Sequence, residues 1–296
     1  MNYRQMIALF IPILIDQAFI MGLNLINTAM ISSAGVAAIS AVNMIDSLNI
    51  FLFSIFIAVA TGGTVVVAQY KGNGNVKKVS EASAGAISVV TLLGLVVGVL
   101  GIALHVPLLN VLFGSAQADV MSYARVYLIG SCISFAGIAI VEAICGALRG
   151  AGSTRASLVL SLIMNIMYVL LNFLFIHGLH MGVLGMTIAL NIARYGGAVC
   201  ALYYLFKVDV NLKVRMKELF RIKWEMFRKI LFIGFPFATE QMFFNGGKIL
   251  TQIFIVWMGT YAIAINAIAS SLAGAMQIPA NALSLTIITV VGICIG

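Results

Sequence analysis

Residues 10–19 read FIPILIDQAF and residues 234–243 read GFPFATEQMF, so each stretch places an acid four residues and a glutamine five residues after a proline. The same shift of 224 residues aligns residues 11–72 with residues 235–296 at 14 identical positions and without a gap. A composition this biased would give roughly five identities by chance. The chain therefore contains an internal repeat.

The chain around the repeat is too apolar for a water-soluble domain. Of its 296 residues, 62% are hydrophobic and 9% are charged, whereas about one quarter of a soluble domain is charged. Apolar runs of about 20 residues or more, without strict alternation, favour helices over barrel strands. We predict an all-α integral membrane protein, a polytopic helical bundle with eight spans. The spans are predicted near 6–33, 38–69, 79–104, 120–147, 156–177, 182–206, 230–257 and 262–295.

The position of the repeat predicts how the spans are grouped. Its copies begin at the first and seventh predicted spans, so one unit contains six helices, and an even number gives a parallel repeat. We predict an amino-terminal six-helix lobe at 1–206, a cytoplasmic basic linker at 207–229, and two helices of a carboxy-terminal lobe at 230–296. By this logic the second lobe is incomplete, and about 150 further residues would complete it. We expect 1–206 to be stable, 230–296 to pack loosely, and the 296 residues alone to transport nothing.

Lys and Arg are concentrated on one side of the predicted spans. The segment 207–229 holds eight of them, while the loops near 34–37, 105–119 and 178–181 hold none. The positive-inside rule then predicts a multi-pass protein of the plasma (inner) membrane with a cytoplasmic amino terminus. The net charge of +8 reflects this topology, and no basic folded domain indicates nucleic-acid binding.

Polar residues within the spans are the candidate functional residues, because charges at bilayer depth are costly. Asp16, Gln17 and Asn27 lie in one sector of the first helix, and Glu240 and Gln241 lie on the seventh. We expect both polar faces to meet in a cavity between the lobes. Hydrogen bonding between neighbouring helices is the alternative. The substrate-binding or ion-coupling candidates are Asp16, Gln17, Asn27, Asp46, Asn172, Glu240 and Gln241.

Other residues have a less specific pattern. Asn165, Tyr168 and Asn172 share one face of the fifth helix, which indicates an inward polar stripe or simple packing. Glu142 lies two turns from Arg149 and is expected to be structural or interfacial. Arg125 and Arg194 are expected to stabilise the lobe through partners that the sequence does not identify. The hinge candidates are Pro12, Pro236 and Pro279, since each removes a backbone hydrogen bond.

The sequence shows no nucleotide-binding loop, no nucleophile–base pair and no metal-ligand spacing. We therefore predict that the protein is not an enzyme, that it has no catalytic residues, no metal and no cofactor, and that an ion gradient or another subunit supplies its energy.

Several segments resemble the multidrug and toxic compound extrusion (MATE) family. They are FIPILIDQ and GFPFATEQ at the helix starts, GGTVVVAQYKGNGN at 62–75, ALRGAGSTR at 147–155, MGVLGMTIA at 181–189 and TVVGICIG at 289–296. The resemblance covers essentially the whole chain. It implies cation-coupled efflux of amphipathic organic cations through alternating access of two lobes.

The chain departs from the family at the acids that the resemblance would assign to cation binding. Asn27 stands where the family often has an Asp on helix one, and Asn172 corresponds best to a second family acid on helix five. Phe244 stands where many relatives carry a Glu, and Glu240 is the nearest acid. The usual proton or sodium site is therefore not transferred to this chain, and Asp16 and Glu240, with Asp46 in reserve, take its place as candidates.

These observations predict an antiporter that exports organic, cationic or amphipathic compounds in exchange for H⁺ or Na⁺. We expect a small organic substrate and the lipid bilayer as partners, and a monomer when the protein is complete. The alternatives are a flippase of lipid-linked oligosaccharides, which would have a more cationic cavity, and a non-transporting truncated relative. For the complete antiporter, we expect Asp16→Asn or Glu240→Gln to abolish coupled efflux.

Overall fold

The structure is a computed structural model that describes residues 3–113, 117–219, 223–257 and 260–296. These ranges fold into α-helices joined by short turns. The helices are α1 (Tyr3–Ser32), α2 (Val36–Gly72), α3 (Val76–Ala103), α4 (His105–Phe113), α5 (Ala118–Gly150), α6 (Thr154–Asn172), α7 (Gly182–Tyr203), α8 (Met216–Leu219), α9 (Trp224–Trp257) and α10 (Thr260–Ile295). Two π-helical segments, Phe173–Gly178 and Tyr204–Val208, continue α6 and α7.

Within the described ranges, seven helical segments are long and apolar enough to cross a membrane. They comprise α1, α2, α3, α5, α6 and α7, the last two with their π segments, and residues Ala273–Ile295 of α10. This confirms the all-helical membrane class. The helix α9 has 34 residues, but Glu240, Gln241 and Lys248 lower its hydropathy, so the eighth span stays a prediction.

Helix α5 is the axis of the first part of the chain, because 78% of its span is buried, compared with 22% for α1. It packs against α2, α3, α6 and α7. Small residues permit the close approach: a Cβ added to Gly98 of α3 would lie 2.6 Å from the Cys132 carbonyl oxygen of α5. We call helices α1–α7 the amino-terminal bundle.

Helices α9 and α10 pack on the outside of this bundle. A Cβ added to Gly62 of α2 would lie 2.7 Å from the backbone nitrogen of Gly234 in α9, and Ile230 of α9 is fully buried. Farther along α2, a Cβ on Gly292 of α10 would lie 2.6 Å from the Ala68 methyl carbon. These contacts fix the start of α9 and the end of α10 against α2.

The segment that was predicted to be the basic linker 207–229 also contacts the bundle. The Ser80 hydroxyl of α3 donates to Glu218 Oε2 at 2.7 Å, and Lys223 pairs with Glu81 at 2.6 Å. Helix α9 begins at Trp224, so the helix starts inside the segment assigned to the linker.

Residues 105–119 were predicted to be a loop, and this prediction is wrong for their first part. His105–Phe113 form α4, with Leu109 buried against the bundle. The stretch has no Lys or Arg but is rich in apolar residues, so a short helix packed on α5 satisfies its backbone and buries one side chain.

Candidate functional site

Two asparagines that the sequence singled out lie in contact inside the bundle. The side-chain amide of Asn172 in α6 donates to Asn27 Oδ1 in α1 at 2.7 Å. Asn172 is completely buried and Asn27 is 6% exposed. The Asn172 Oδ1 atom has no hydrogen-bond partner, which is costly in a membrane interior. The pair joins α1 to α6 and leaves one acceptor without a partner.

A second cluster surrounds Asp46 between α2 and α5. The Tyr127 hydroxyl donates to Asp46 Oδ1 at 2.9 Å. One turn along α2, Asn49 donates to the Ser131 hydroxyl at 3.1 Å. Tyr168 of α6 lies beside both Tyr127 and Asn172, and so connects this cluster to the asparagine pair.

Arg194 of α7 supplies the positive charge of this region. Its Nη1 atom donates to the Ser134 hydroxyl at 2.7 Å, and its guanidinium carbon lies 4.7 Å from the centroid of the Phe53 ring. Asp46 is among the groups that act on it electrostatically. A cation over an aromatic face and an acid nearby together offset part of the cost of burying the guanidinium. We call Asp46, Asn49, Tyr127, Ser131, Ser134 and Arg194 the Asp46 cluster.

A third group of polar residues lies around Asp16 of α1. Its side chain is 5% exposed, and the Ser161 hydroxyl of α6 lies beside the carboxylate. Arg149 of α5 pairs with Glu142 at 3.6 Å and donates to the Ser157 hydroxyl at 3.3 Å. We call Asp16, Glu142, Arg149, Ser157 and Ser161 the Asp16 cluster.

The other sequence candidates lie elsewhere. Gln17 is only partly buried, although it neighbours Asp16 in sequence. Glu240 and Gln241 are exposed on α9. The structure thus brings Asn27 and Asn172 together and turns Asp16 towards α6 and α5, while it does not place Asp16 and Glu240 side by side. The cavity shared by their two polar faces stays a prediction.

The hinge candidates also differ in their surroundings. Pro12 is buried inside α1, whereas Pro236 and Pro279 are exposed within α9 and α10.

Several cluster residues have no distinctive signal in the sequence when each is considered alone. Tyr127, Ser131 and Ser134 repeat at i, i+4 and i+7 along α5, and Ser157 and Ser161 lie four residues apart along α6. This spacing places each set on one helical face. A search for hydroxyl and amide stripes, in addition to charges, would have found them.

The architecture and these clusters can be compared with known proteins. The family model described as MatE matches residues 12–174, more than half of the chain. This chain belongs to the MatE family. The multi-pass membrane protein predicted from the sequence is thereby confirmed, and the members of this family are transporters and not enzymes.

Two curated relatives cover most of the chain. The uncharacterized transporter YisQ of Bacillus subtilis is 30% identical over 260 residues, which make up 85% of this chain and 56% of the relative. The probable multidrug resistance protein NorM of Thermotoga maritima is 27% identical over 296 residues, which make up 98% of this chain and 62% of the relative. The chain therefore spans about three fifths of the length of these MatE relatives.

A solved structure shows the same fold. The outward-facing conformation of a multidrug resistance MATE family transporter of the MOP superfamily superposes with a TM-score of 0.87 at 19% identity. The match covers 98% of this chain and 64% of the solved chain. At this identity the likeness establishes the MATE fold of the present helices and no more.

Proposed function

We propose that the complete protein is a secondary active antiporter, which exports organic, cationic or amphipathic compounds in exchange for H⁺ or Na⁺. Membership of the MatE family supports transport as the general activity. The observation that carries the ion-coupled form of the proposal is the set of ionisable and amide side chains inside the amino-terminal bundle.

These side chains come from helices that pack together at the centre of the bundle. Asp46 lies on α2, Tyr127 on α5 and Arg194 on α7, and the asparagine pair adds α1 and α6. Replacing buried ionic groups with apolar ones is often neutral or stabilising, so such groups are weak evidence for a purely structural role. Within a membrane-spanning bundle they are functional candidates.

A change of charge in this network would alter contacts between several helices at once. The Tyr127–Asp46 hydrogen bond joins α5 to α2, and the Arg194–Ser134 hydrogen bond joins α7 to α5. Binding or release of a cation would therefore favour one packing of the bundle over another, which is the requirement for coupling an ion to a conformational change. In our proposal the bundle is one of two lobes that rock about a shared substrate site.

The remaining features of the proposal follow from charge and family. The name of the Thermotoga maritima relative, a probable multidrug resistance protein, supports a small organic substrate. The basic segment 207–229 supports a cytoplasmic amino terminus in the plasma membrane. We further propose that the complete protein acts as a monomer and uses no cofactor other than its coupling ion.

The test is efflux by the protein that its complete reading frame encodes, reconstituted in liposomes with a fluorescent organic cation such as ethidium. An outward substrate flux driven by a proton or sodium gradient is expected, and Asp46→Asn should reduce it. Asp119→Asn is the matched control, because Asp119 is an exposed acid at the start of α5. Ethidium movement that ignores both gradients would contradict the antiporter.

A flippase is the second candidate, and the described cations do not favour it. Arg194 is engaged with Ser134 and Phe53, and Arg149 is paired with Glu142. Arg125 and Lys248 are exposed. The same liposomes decide between the two functions, because a flippase would move a labelled lipid-linked oligosaccharide between leaflets and leave ethidium in place.

A further inference from the structure

Two buried polar atoms of the Asp16 cluster lack partners, and they are chemically complementary. One is Asp16 Oδ1, an acceptor, and the other is Arg149 Nε, a donor. The guanidinium is instead occupied by Glu142 at 3.6 Å and by the Ser157 hydroxyl at 3.3 Å. An acid and a base that each leave one atom unsatisfied in the same cluster indicate a second arrangement in which they bind each other.

The charges of the cluster do not balance when both acids are ionised. Asp16 and Glu142 contribute two negative charges and Arg149 contributes one positive charge, which leaves one negative charge in excess. An uncompensated charge is strongly disfavoured where it is buried, and Asp16 is only 5% exposed. One proton on one acid removes the excess.

The arrangement in the structure fits a protonated Asp16. Glu142 has the guanidinium as its partner, while no ion pair of Asp16 is found among the described residues. A neutral carboxyl with one hydroxyl neighbour, Ser161, is far less costly to bury than an ionised one.

Charged residues on the neighbouring helices do not change this balance. Helices α2, α6 and α7 and the π segment Phe173–Gly178 all pack against α1, as does α10, which contains no Asp, Glu, Lys, Arg or His. The charges that act on Asp16 are those of Arg149 and Glu142 on α5. The acidic, basic and histidine residues of the elements that contact α1 are Asp46 and Lys71 of α2, Arg155 of α6, His177 of the π segment and Arg194 of α7. The same elements also contain the weakly acidic residues Tyr70, Tyr168, Tyr195, Cys200, Tyr203, Tyr261 and Cys294.

We propose that Asp16 binds the coupling proton, and that Arg149 changes partner from Glu142 to Asp16 when the proton leaves. This inference rests on the proposed antiport. It specifies H⁺ as the coupling ion and places the proton on Asp16, outside the Asp46 cluster. The proton is exchanged between the Asp16 carboxylate and water, and no covalent bond other than that O–H bond changes. Each state has one ion pair. When the proton leaves, the extra negative charge falls on Glu142, whose side chain is 28% exposed, and not on Asp16, which is 5% exposed.

A proton fits this position better than a sodium ion. A sodium ion beside Asp16 would lie close to the Arg149 guanidinium, and the two positive charges would repel each other. A proton becomes part of the carboxyl group and needs no further ligands. A sodium ion would need several oxygen ligands, and the hydroxyl beside the Asp16 carboxylate is that of Ser161.

The position of α1 allows this exchange to move helices. Pro12 lies one turn before Asp16 and removes a backbone hydrogen bond, so the helix can bend there. Helix α1 packs between α6 of the bundle and α10 of the repeat copy. When Arg149 pulls on Asp16 in place of Glu142, α1 is drawn towards α5, and its contacts with α10 change.

The first test is transport by the protein from the complete reading frame in liposomes loaded with ethidium. Asp16→Asn fixes the neutral state, so proton-driven uphill efflux should fall by about tenfold or more, while downhill ethidium exchange continues. Asp119→Asn should behave as the wild type. Full proton-driven efflux by Asp16→Asn, or efflux driven by sodium alone in the wild type, would overturn the inference.

The second test needs no transport, and so separates this inference from the proposed function. Infrared difference spectra of the same protein between acidic and alkaline buffers should show the C=O band of a buried protonated carboxyl. Asp16→Asn should remove that band, and Glu142→Gln should weaken it because Arg149 is then left with Asp16 as its acid partner. If no gradient drives efflux, the antiport proposal fails, but the infrared band still shows whether Asp16 binds a proton. An unchanged band in Asp16→Asn would overturn the assignment of the proton to Asp16.

Discussion

Asp16 and Glu240 occupy equivalent positions in the repeat, yet the structure gives them different surroundings. Asp16 is 5% exposed and faces α6, whereas Glu240 is exposed on α9. The prolines that precede them differ in the same way, because Pro12 is buried and Pro236 is exposed. The shared motif specifies a helix with a polar face in both copies. The neighbouring helices decide whether that face is buried.

The largest effect is expected from overfilling a helix contact inside the bundle. A Cβ added to Gly130 of α5 would overlap the Thr187 side chain of α7. Gly130→Leu should therefore lower the free energy of unfolding by about 3 kcal/mol or more. We expect that this variant yields no monodisperse folded protein. The readout is size-exclusion chromatography with thermal unfolding in detergent. Gly246→Leu on α9 is the control, since no atom lies within 4 Å of its added Cβ. Equal losses of stability in the two variants would show that α9 is packed as tightly as the amino-terminal bundle.

The second prediction compares the two acids directly by chemical labelling. In a cysteine-free background, Glu240→Cys should react with a water-soluble maleimide about tenfold faster than Asp16→Cys, because a thiol reacts only where it is accessible and can ionise. The expected order follows from the exposure of Glu240 and the burial of Asp16. Equal rates would show that both acids reach water. No reaction at either position would argue that the α9 stripe faces lipid, against the shared cavity.

A smaller effect is expected from removing one hydrogen bond of the Asp46 cluster. Tyr127→Phe leaves Asp46 Oδ1 without the donor that lies at 2.9 Å. The free energy of unfolding should fall by about 1–3 kcal/mol, since a buried acceptor then has no hydrogen-bond donor. Thermal unfolding in detergent measures it. The exposed Tyr123 provides the control variant Tyr123→Phe, which should stay within about 0.5 kcal/mol. A neutral Tyr127→Phe would show that water or another donor replaces the hydroxyl.

The smallest effect is expected outside the bundle, at the contact between α3 and the residues that precede α9. Lys223 pairs with Glu81 at 2.6 Å, but the lysine side chain is 57% exposed. Lys223→Ala should therefore lower stability by less than about 1 kcal/mol. High salt should reduce the difference from the wild type, because exposed charges are screened. A loss as large as that of Tyr127→Phe would contradict the distinction between interior and surface contacts.

Much of the fold followed from local patterns. Apolar runs predicted helices that the structure contains, and the membrane class was confirmed. The patterns did not reveal α4, whose residues were assigned to a loop because they lack Lys and Arg and lie between two spans. They predicted a membrane span near 230–257, and the helix α9 that contains these residues begins earlier, at Trp224.

The candidate site followed from sequence only in part. The family resemblance assigned Asn27 and Asn172 to the two acid positions of one site, but their 2.7 Å hydrogen bond could not be foreseen from the sequence because 145 residues separate them. Arg194 was expected to stabilise the lobe, but its partner Ser134 was not identified, since a lone serine on an apolar helix has no distinctive signal. Asp16 was paired with Glu240 by symmetry, whereas the structure turns it towards Ser161, Arg149 and Glu142.

The sequence by itself determined the lipid environment, the long helices and the repeat. Composition and run length settle these features, because lipid leaves helices as the way to satisfy the backbone of such segments. Tertiary structure alone decided which polar faces are buried and which charges meet. Burial depends on the helix that packs opposite, as Gly62 against Gly234 and Gly130 against Thr187 show. Two copies of one motif can therefore share a helix and a polar stripe and still differ in the chemistry available to their acids.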